Sequence, residues 1–142
     1  METIVESNRD KEVRDFLEHF PYTVFDNGKG GIDVEARAEF GDTAAILAAE
    51  YGYFKVVKHC VENGADLNAK NSCDDTALIR AVVGEETEIA NYILDKSSDE
   101  CIEDVSTGVA ISLAFRHKLP ELAKRIYDKI ESVHNAQEKI AA

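Results

Sequence analysis

The sequence repeats itself with a period of 33 residues, and this periodicity constrains the fold more than any other feature of the chain. Gly31 and Asp33, for example, match Gly64 and Asp66 when the sequence is shifted by one period. The same shift matches Asp42, Thr43, Ala44, Ile46 and Ala48 with Asp75, Thr76, Ala77, Ile79 and Ala81. A second shift of one period finds further matches at Ala110, Ala114, Ile126, Asp128 and Lys129. Self-similarity at periods of about 20 to 50 residues is typical of stacked structural repeats.

Each repeat contains two helix signals. The second is an apolar stripe at positions i, i+1, i+4 and i+5, which lie on one face of an α-helix. The stripes are Val56, Val57, Cys60 and Val61; Ile89, Ala90, Ile93 and Leu94; and Leu122, Ala123, Ile126 and Tyr127. An alanine-rich segment precedes each stripe, at 43–49, 76–83 and 109–115, and small residues allow two helices to pack closely. The pattern predicts an all-α solenoid of about four stacked helix-turn-helix units.

The polar stretches between units are interpreted as connections. In ENGADLNAKN, Gly64 follows a stripe, where a helix commonly ends in a left-handed residue. Asp66 and Asn68 are residues that bond to nearby backbone and form turns. Thr43 and Thr76 precede the alanine-rich segments, so we expect their hydroxyls to cap the next helices.

The stretch GDTAAILAAEYGYFKVVKHCVENGADLNAK, residues 41–70, resembles an ankyrin repeat. It is similar to the family's G-x-T-P-L-H-x-A-A opening, the glycine that follows, the paired aliphatic residues and the closing G-A-D-x-N-A. The later units depart from the pattern at Asp74 and Ser97, which replace glycines, and at Val109, which replaces the threonine. The family's Pro and His are missing from all three units. Tetratricopeptide repeats have a similar period, but their landmark residues are absent.

The resemblance implies one ankyrin-repeat domain over the whole chain. We expect an N-terminal cap repeat at 1–37, repeats at 38–70 and 71–103, and a C-terminal cap repeat with an extended last helix at 104–142. A loop is inserted at 20–31 and contains Phe20, Tyr22 and Phe25. These aromatic side chains are expected to fold over the first helices, and a functional loop is the alternative.

Composition excludes several classes of function. The net charge of −12 disfavours direct nucleic-acid binding, which relies on Lys and Arg. No run of 18 apolar residues is present, so we expect no membrane span. The His, Cys and acidic residues form no catalytic or metal-ligand spacing, so we expect no enzyme activity, cofactor or metal. Cys60, Cys73 and Cys101 form no CxxC pair, which favours reduced thiols and a cytoplasmic location, with nuclear or secreted-effector delivery left open.

As the resemblance implies, the chain is expected to bind another protein through its hairpin tips and inner helices. The candidate contact residues are Glu39, Phe40, Asp42, Glu50, Tyr51, Ser72, Asp75, Val83, Arg116 and His117. Phe40 and Tyr51 are the main candidates, because exposed aromatic residues anchor interfaces. The acidic residues beside them predict a partner with a basic surface, and we expect the chain alone to be a monomer.

Two functions remain open at this point. The first is a regulator, adaptor or inhibitor that binds one partner protein on a concave face. The second is an acidic mimic of nucleic acid that occupies a basic surface. A concave face that mixes aromatic and charged residues favours the first function, whereas a continuous acidic ridge favours the second.

Overall fold

The computed structural model describes residues 8–20, 23–29 and 31–141, and within these ranges the regular elements are all helical. An isolated bridge between Asp26 and Ile32 is the one strand-like pairing in the described ranges. The α-helices are α1 Asn8–His19, α2 Ala44–Tyr51, α3 Phe54–Glu62, α4 Ala77–Val83, α5 Thr87–Lys96, α6 Asp99–Glu103, α7 Val105–Arg116 and α8 Pro120–Ala141, with a 3₁₀ turn at Thr23–Phe25.

The helices form two layers. The inner helices α2, α4 and α7 stack in that order, and the outer helices α1, α3, α5 and α8 stack behind them. Alanines at the inner contacts are fully buried, as at Ala48, Ala81 and Ala114, because a side chain this small lets adjacent helices approach closely. The predicted all-α solenoid is confirmed.

The local signals that define helix ends behave as predicted. The Thr43 hydroxyl accepts a hydrogen bond from Ile46 N (3.2 Å), and the Thr76 hydroxyl accepts one from Ile79 N (3.3 Å). Gly64 has a φ of +84°, in the left-handed region that glycine tolerates best. Asp74 and Lys118 stand where the repeat pattern has glycine, and they keep positive φ values of 62° and 60°.

The apolar stripes form the core, with one correction. The first stripe buries Val56, Val57 and Cys60, and the second buries all four of its residues. In the third stripe Leu122, Ala123 and Ile126 are buried, but Tyr127 is 54% exposed, so its place in the stripe did not ensure its burial. The outer layer as described ends at α8, and no further helix covers this side chain.

The third unit differs from the first two in its connection. We interpreted this stretch as a connection between units, and the short helix α6 lies within it, packs against α8 and buries Ile102. Ser98 caps this helix by accepting a hydrogen bond from Cys101 N (3.3 Å). Helix α7 also begins at Val105, four residues before the alanine-rich segment that predicted it.

Asp104 caps the N-terminus of α7. Its carboxylate accepts a hydrogen bond from Ser106 N (2.9 Å) and pairs with Lys70 Nζ (2.9 Å) from the connection after α3. The hydrogen bonds from Ser106, followed by the pairing with Lys70, lower the pKa of Asp104 to about 2. A carboxyl whose folded-state pKa is depressed stabilises the fold while it is ionised, and this contribution is lost as the pH falls.

Asp104→Asn is expected to lower the free energy of unfolding by about 1 kcal/mol at neutral pH, since it keeps a capping oxygen but loses the charge. The difference from the parent should be complete above the unfolded-state pKa of about 3.9 and should shrink as the pH falls toward 2. Urea denaturation of both proteins at several pH values measures it. A difference that stays constant over this range would contradict the assignment.

The inserted loop covers the first helix. Phe25 is buried, and its ring lies 5.8 Å from that of Phe16 on α1. The half-buried Phe20 lies 5.0 Å from the same ring. The expectation that these aromatic residues fold over α1 is confirmed for Phe20 and Phe25, and Tyr22 lies outside the described residues.

Candidate protein-binding surface

The turn ahead of α2 presents Phe40. Ala38 N donates to Asp42 O (2.8 Å), Gly41 N donates to Ala38 O (2.9 Å), and Gly41 has a φ of +77°. This tight reversal leaves Glu39 and Phe40 at its tip, where the Phe40 side chain is 67% exposed. A large apolar ring held in water by a backbone turn is a candidate contact for a partner.

A second turn, ahead of α4, is joined to the first through Asn71. The buried Asn71 side chain donates to Asp42 Oδ1 (2.8 Å) and accepts from Cys73 N (2.9 Å) and Asp75 N (3.0 Å). Ser72 N also donates to Phe40 O (2.9 Å). Sequence reasoning missed Asn71, although asparagine at the start of a polar turn is itself a signal.

Arg37 strengthens this connection from outside the turns. Its Nη1 donates to Gly41 O (3.0 Å) and to Lys70 O (2.8 Å), one carbonyl from each connection. Asn71 and Arg37 provide links between the hairpins in this chain.

Two of the predicted acidic contacts are engaged inside the protein. Arg80 on α4 lies 3.3 Å from Glu50 Oε1 on α2 and 3.0 Å from Asp75 Oδ2. All three side chains are half-buried, so the guanidinium compensates both carboxylates. Glu50 and Asp75 therefore add less negative charge to the surface than their positions in the sequence suggested.

Tyr51 lies at the opposite end of α2 from Phe40. Its side chain is 54% exposed, and its ring packs beside those of Phe20 (5.6 Å) and His19 (5.8 Å). Helix α2 has eight residues, so the two aromatic positions are separated by about 12 Å of helix. Tyr51 is thus both partly packed on the N-terminal segment and available to a partner.

An apolar groove lies between Phe40 and the inserted loop. We call it the aromatic groove; it is a cavity of about 440 Å³. Its apolar lining is Phe20, Val24, Ala38, Phe40 and Leu47, and Arg37, Glu39 and Asp42 complete it.

The groove exists because no inner helix precedes α2 in the described residues. Leu47 on α2 and Arg80 on α4 are one period apart, and Arg80 reaches back to the preceding inner helix. Leu47 therefore faces the place where a preceding helix would pack, and Phe20 and Val24 stand there instead. Sequence reasoning assigned Phe20 only a covering role and did not single out Val24.

The remaining predicted contacts lie elsewhere on the inner layer. Ser72 is exposed on the second turn, close to Phe40. Val83 ends α4, Arg116 ends α7, and His117 follows it with Nδ1 3.8 Å from Glu85 Oε1. The structure therefore brings Glu39, Phe40, Asp42 and Ser72 together, whereas Val83, Arg116 and His117 do not line the aromatic groove.

The structure also bears on a reactive cysteine, a metal site and a membrane-spanning helix. Cys60 is fully buried, and desolvation raises the pKa of its thiol to about 12, so it stays protonated near neutral pH. In the part of the chain that the structure describes, no group of three or more His, Cys, Asp or Glu side chains is placed to hold a metal ion. Within the same ranges, no helix combines the length and the apolar character needed to cross a membrane.

Comparison with protein families gives the class of the protein. A model of ankyrin repeats in three copies matches residues 7–104, which is more than half of the chain. The chain therefore belongs to the ankyrin repeat family, a non-catalytic interaction fold whose members generally bind other proteins. No curated protein matches the sequence.

Proposed function

We propose that this chain is a non-enzymatic regulator, adaptor or inhibitor that binds one partner protein at the N-terminal end of its inner layer of hairpins and helices. The observation that carries the proposal is the apolar surface that runs from Phe40 along the aromatic groove to Phe20 and Tyr51. Both end rings are more than half exposed. Large aromatic side chains next to a preformed pocket are the usual anchors of protein interfaces.

The charges around the groove indicate the partner's chemistry. Glu39 is exposed and Asp42 is half-buried at the rim, while Arg37 directs its Nη1 to two backbone carbonyls. With a net charge of −12 on the whole chain, long-range attraction favours a basic partner. The proposed ligand is a protein surface that inserts an apolar side chain into the groove and places Lys or Arg beside Glu39.

The arrangement of charge gives less support to the nucleic-acid mimic. A mimic needs regularly spaced, uncompensated carboxylates along one ridge. On this face, Arg80 compensates Glu50 and Asp75, and exposed rings separate the remaining acidic groups. A cytoplasmic location fits the reduced thiols and belongs to the same proposal.

The proposal is tested with Phe40→Ala and Tyr51→Ala once a pull-down from source cells has supplied a partner. Truncation of an anchor typically costs about 2 kcal/mol or more, so each variant is expected to bind about 30-fold more weakly. Calorimetric titration at low and high salt measures this loss. Affinity of the parent should also fall as salt rises, because screening weakens attraction to a basic surface.

Phe115→Ala and Tyr127→Ala are matched controls, since both remove exposed rings that lie outside the groove. Both should bind like the parent. Full affinity in Phe40→Ala and Tyr51→Ala, with unchanged melting curves, would contradict the proposal. If a steep salt dependence accompanied that result, the acidic mimic would be the better explanation.

A further inference from the structure

The chain contains two Asn-Gly steps, and an acidic residue precedes each of them. The first is DNG at 26–28 in the inserted loop, and the second is ENG at 62–64 at the end of α3. In such a step the backbone nitrogen of the glycine can attack the side-chain amide carbon of the asparagine, because glycine has no side chain in the way. The two local sequences are alike, so a difference in reactivity has to come from the fold.

In the first step the backbone N–H of the glycine lies against a carboxylate. Gly28 N donates to Asp26 Oδ1 (2.8 Å), and a carboxylate at this distance can accept the proton as a general base. Gly28 has a φ of +75°, and a Cβ added to it would meet no atom within 4 Å, so this peptide has room to turn toward Asn27. All three residues are exposed to water.

Two backbone donors hold the side-chain carbonyl of Asn27. Its Oδ1 accepts from Lys29 N (2.7 Å) and from Gly31 N (3.1 Å). A pair of N–H groups on one carbonyl oxygen stabilises the negative charge that develops there when a nucleophile adds to the carbon, as in an oxyanion hole. One short loop therefore supplies a base, a nucleophile and an activated carbonyl.

The second step is held by the end of α3. Gly64 N donates to Val61 O (3.1 Å), and a backbone carbonyl does not take up a proton as a carboxylate does. The Asn63 side chain is bonded through its nitrogen, which donates to His59 O (2.7 Å). Both acceptors belong to α3, so turning this peptide would break the hydrogen bonds that end the helix. The fold restrains this step.

We propose that the Asn27–Gly28 step is a self-modification site, at which Asn27 deamidates through a succinimide. Asp26 takes the proton from Gly28 N as the peptide turns, and Gly28 N forms a bond to Asn27 Cγ. The bond from Cγ to Nδ2 breaks, the proton passes to the leaving nitrogen, and ammonia departs. Water then opens the succinimide at one of its two carbonyls and leaves aspartate or isoaspartate at position 27.

This modification changes a loop that lines the aromatic groove. Val24 of the groove and the buried Phe25 come shortly before the site, and the bridge between Asp26 and Ile32 spans it. Isoaspartate lengthens the main chain inside this bridge, and both products add a negative charge to the loop. The proposal does not rest on the proposed partner binding, because the modification is measured on the chain alone.

Peptide mapping by mass spectrometry, after incubation of the full chain near neutral pH, tests the proposal. Trypsin releases the two steps in separate peptides, 15–29 and 59–70. Deamidation replaces NH₂ by OH in the peptide mass, and electron-based fragmentation distinguishes isoaspartate from aspartate. Asn27 is expected to deamidate at least about tenfold faster than Asn63 in the folded chain. In concentrated urea the two rates should become similar, because the local sequences are alike.

Asp26→Asn separates the base from the hydrogen bond, since it keeps an acceptor for Gly28 N but cannot take up the proton. It should slow deamidation at position 27 by about tenfold or more and leave Asn63 unaffected. Glu62→Gln is the matched control at the second step and should change neither rate. An Asn27 rate at or below that of Asn63 in the folded chain would overturn the proposal. So would an Asp26→Asn variant that deamidates at position 27 as fast as the parent or faster, since the hydrogen bond would then be protective.

Discussion

Val57→Asp is expected to destabilise the protein by several kcal/mol, a large part of the roughly 5–15 kcal/mol that holds a domain folded. Val57 is fully buried on α3, and its equivalents Ala90 and Ala123 are buried on α5 and α8. A carboxylate at this position loses its hydration in the contact between successive outer helices. Protein interiors are close-packed, so neighbouring side chains have little freedom to open a path to water.

Urea denaturation followed by circular dichroism measures this effect. Burial raises the pKa of the introduced carboxyl, so the variant should be less destabilised below the unfolded-state pKa and should lose stability as the pH rises. Lys58→Asp is the control one residue along the same helix. Lys58 is exposed with its Nζ over the Phe54 ring (4.7 Å), so its replacement should cost about 1 kcal/mol or less. Equal costs for the two variants would show that Val57 is not in the core.

Gly84→Ala is the second substitution with a large expected effect. The added Cβ would lie 2.2 Å from Glu50 O, at the C-terminal end of α2. Gly84 has a φ of −78°, which alanine adopts freely, so the cost comes from the close approach of α2 and α4. A backbone carbonyl cannot rotate away as a side chain does, and one of the two helix ends has to move. We expect a loss of about 1–3 kcal/mol, as for other overpacked contacts.

Gly108→Ala is the same substitution in a different setting. Gly108 lies inside α7 with open space in front of it, so alanine should stabilise the helix by about 0.5–1 kcal/mol. Urea denaturation of both variants tests whether alanine destabilises the protein at position 84 and stabilises it at position 108. A neutral result for Gly84→Ala would contradict the close contact between the ends of α2 and α4.

The helix caps and helix ends could be predicted from the sequence because the interactions that form them join residues only a few positions apart. The Thr43 and Thr76 hydroxyls cap helices through hydrogen bonds to residues three positions later, and Gly64 follows α3 with the left-handed φ that ends a helix. The apolar stripes could also be predicted, because residues on one face of a helix keep the same spacing whatever that face packs against. The period of 33 residues extended this local information to the whole solenoid.

The candidate site depended on contacts that no local pattern specifies. The aromatic groove forms because Phe20 and Val24 stand where an inner helix would otherwise pack on Leu47. Arg80 reaches Glu50 because stacking brings residues about 30 positions apart into contact, and the same guanidinium also pairs with the nearby Asp75. Both outcomes follow from the order of units in space, which decides how much charge and how much apolar surface a partner meets.

Tyr127 is a single residue whose helix face was predicted by the sequence and whose exposure was decided by the tertiary structure. Its spacing in the stripe placed it correctly on the apolar face of α8, and its equivalent Leu94 is buried there. Whether that face is covered depends on a neighbouring unit, and in the described residues α8 has none beyond it. The sequence by itself determined the helices, their caps and their apolar faces, because hydrogen bonding and periodicity are local. Only the tertiary structure decided which faces are buried, because burial requires a second surface that comes from elsewhere in the chain.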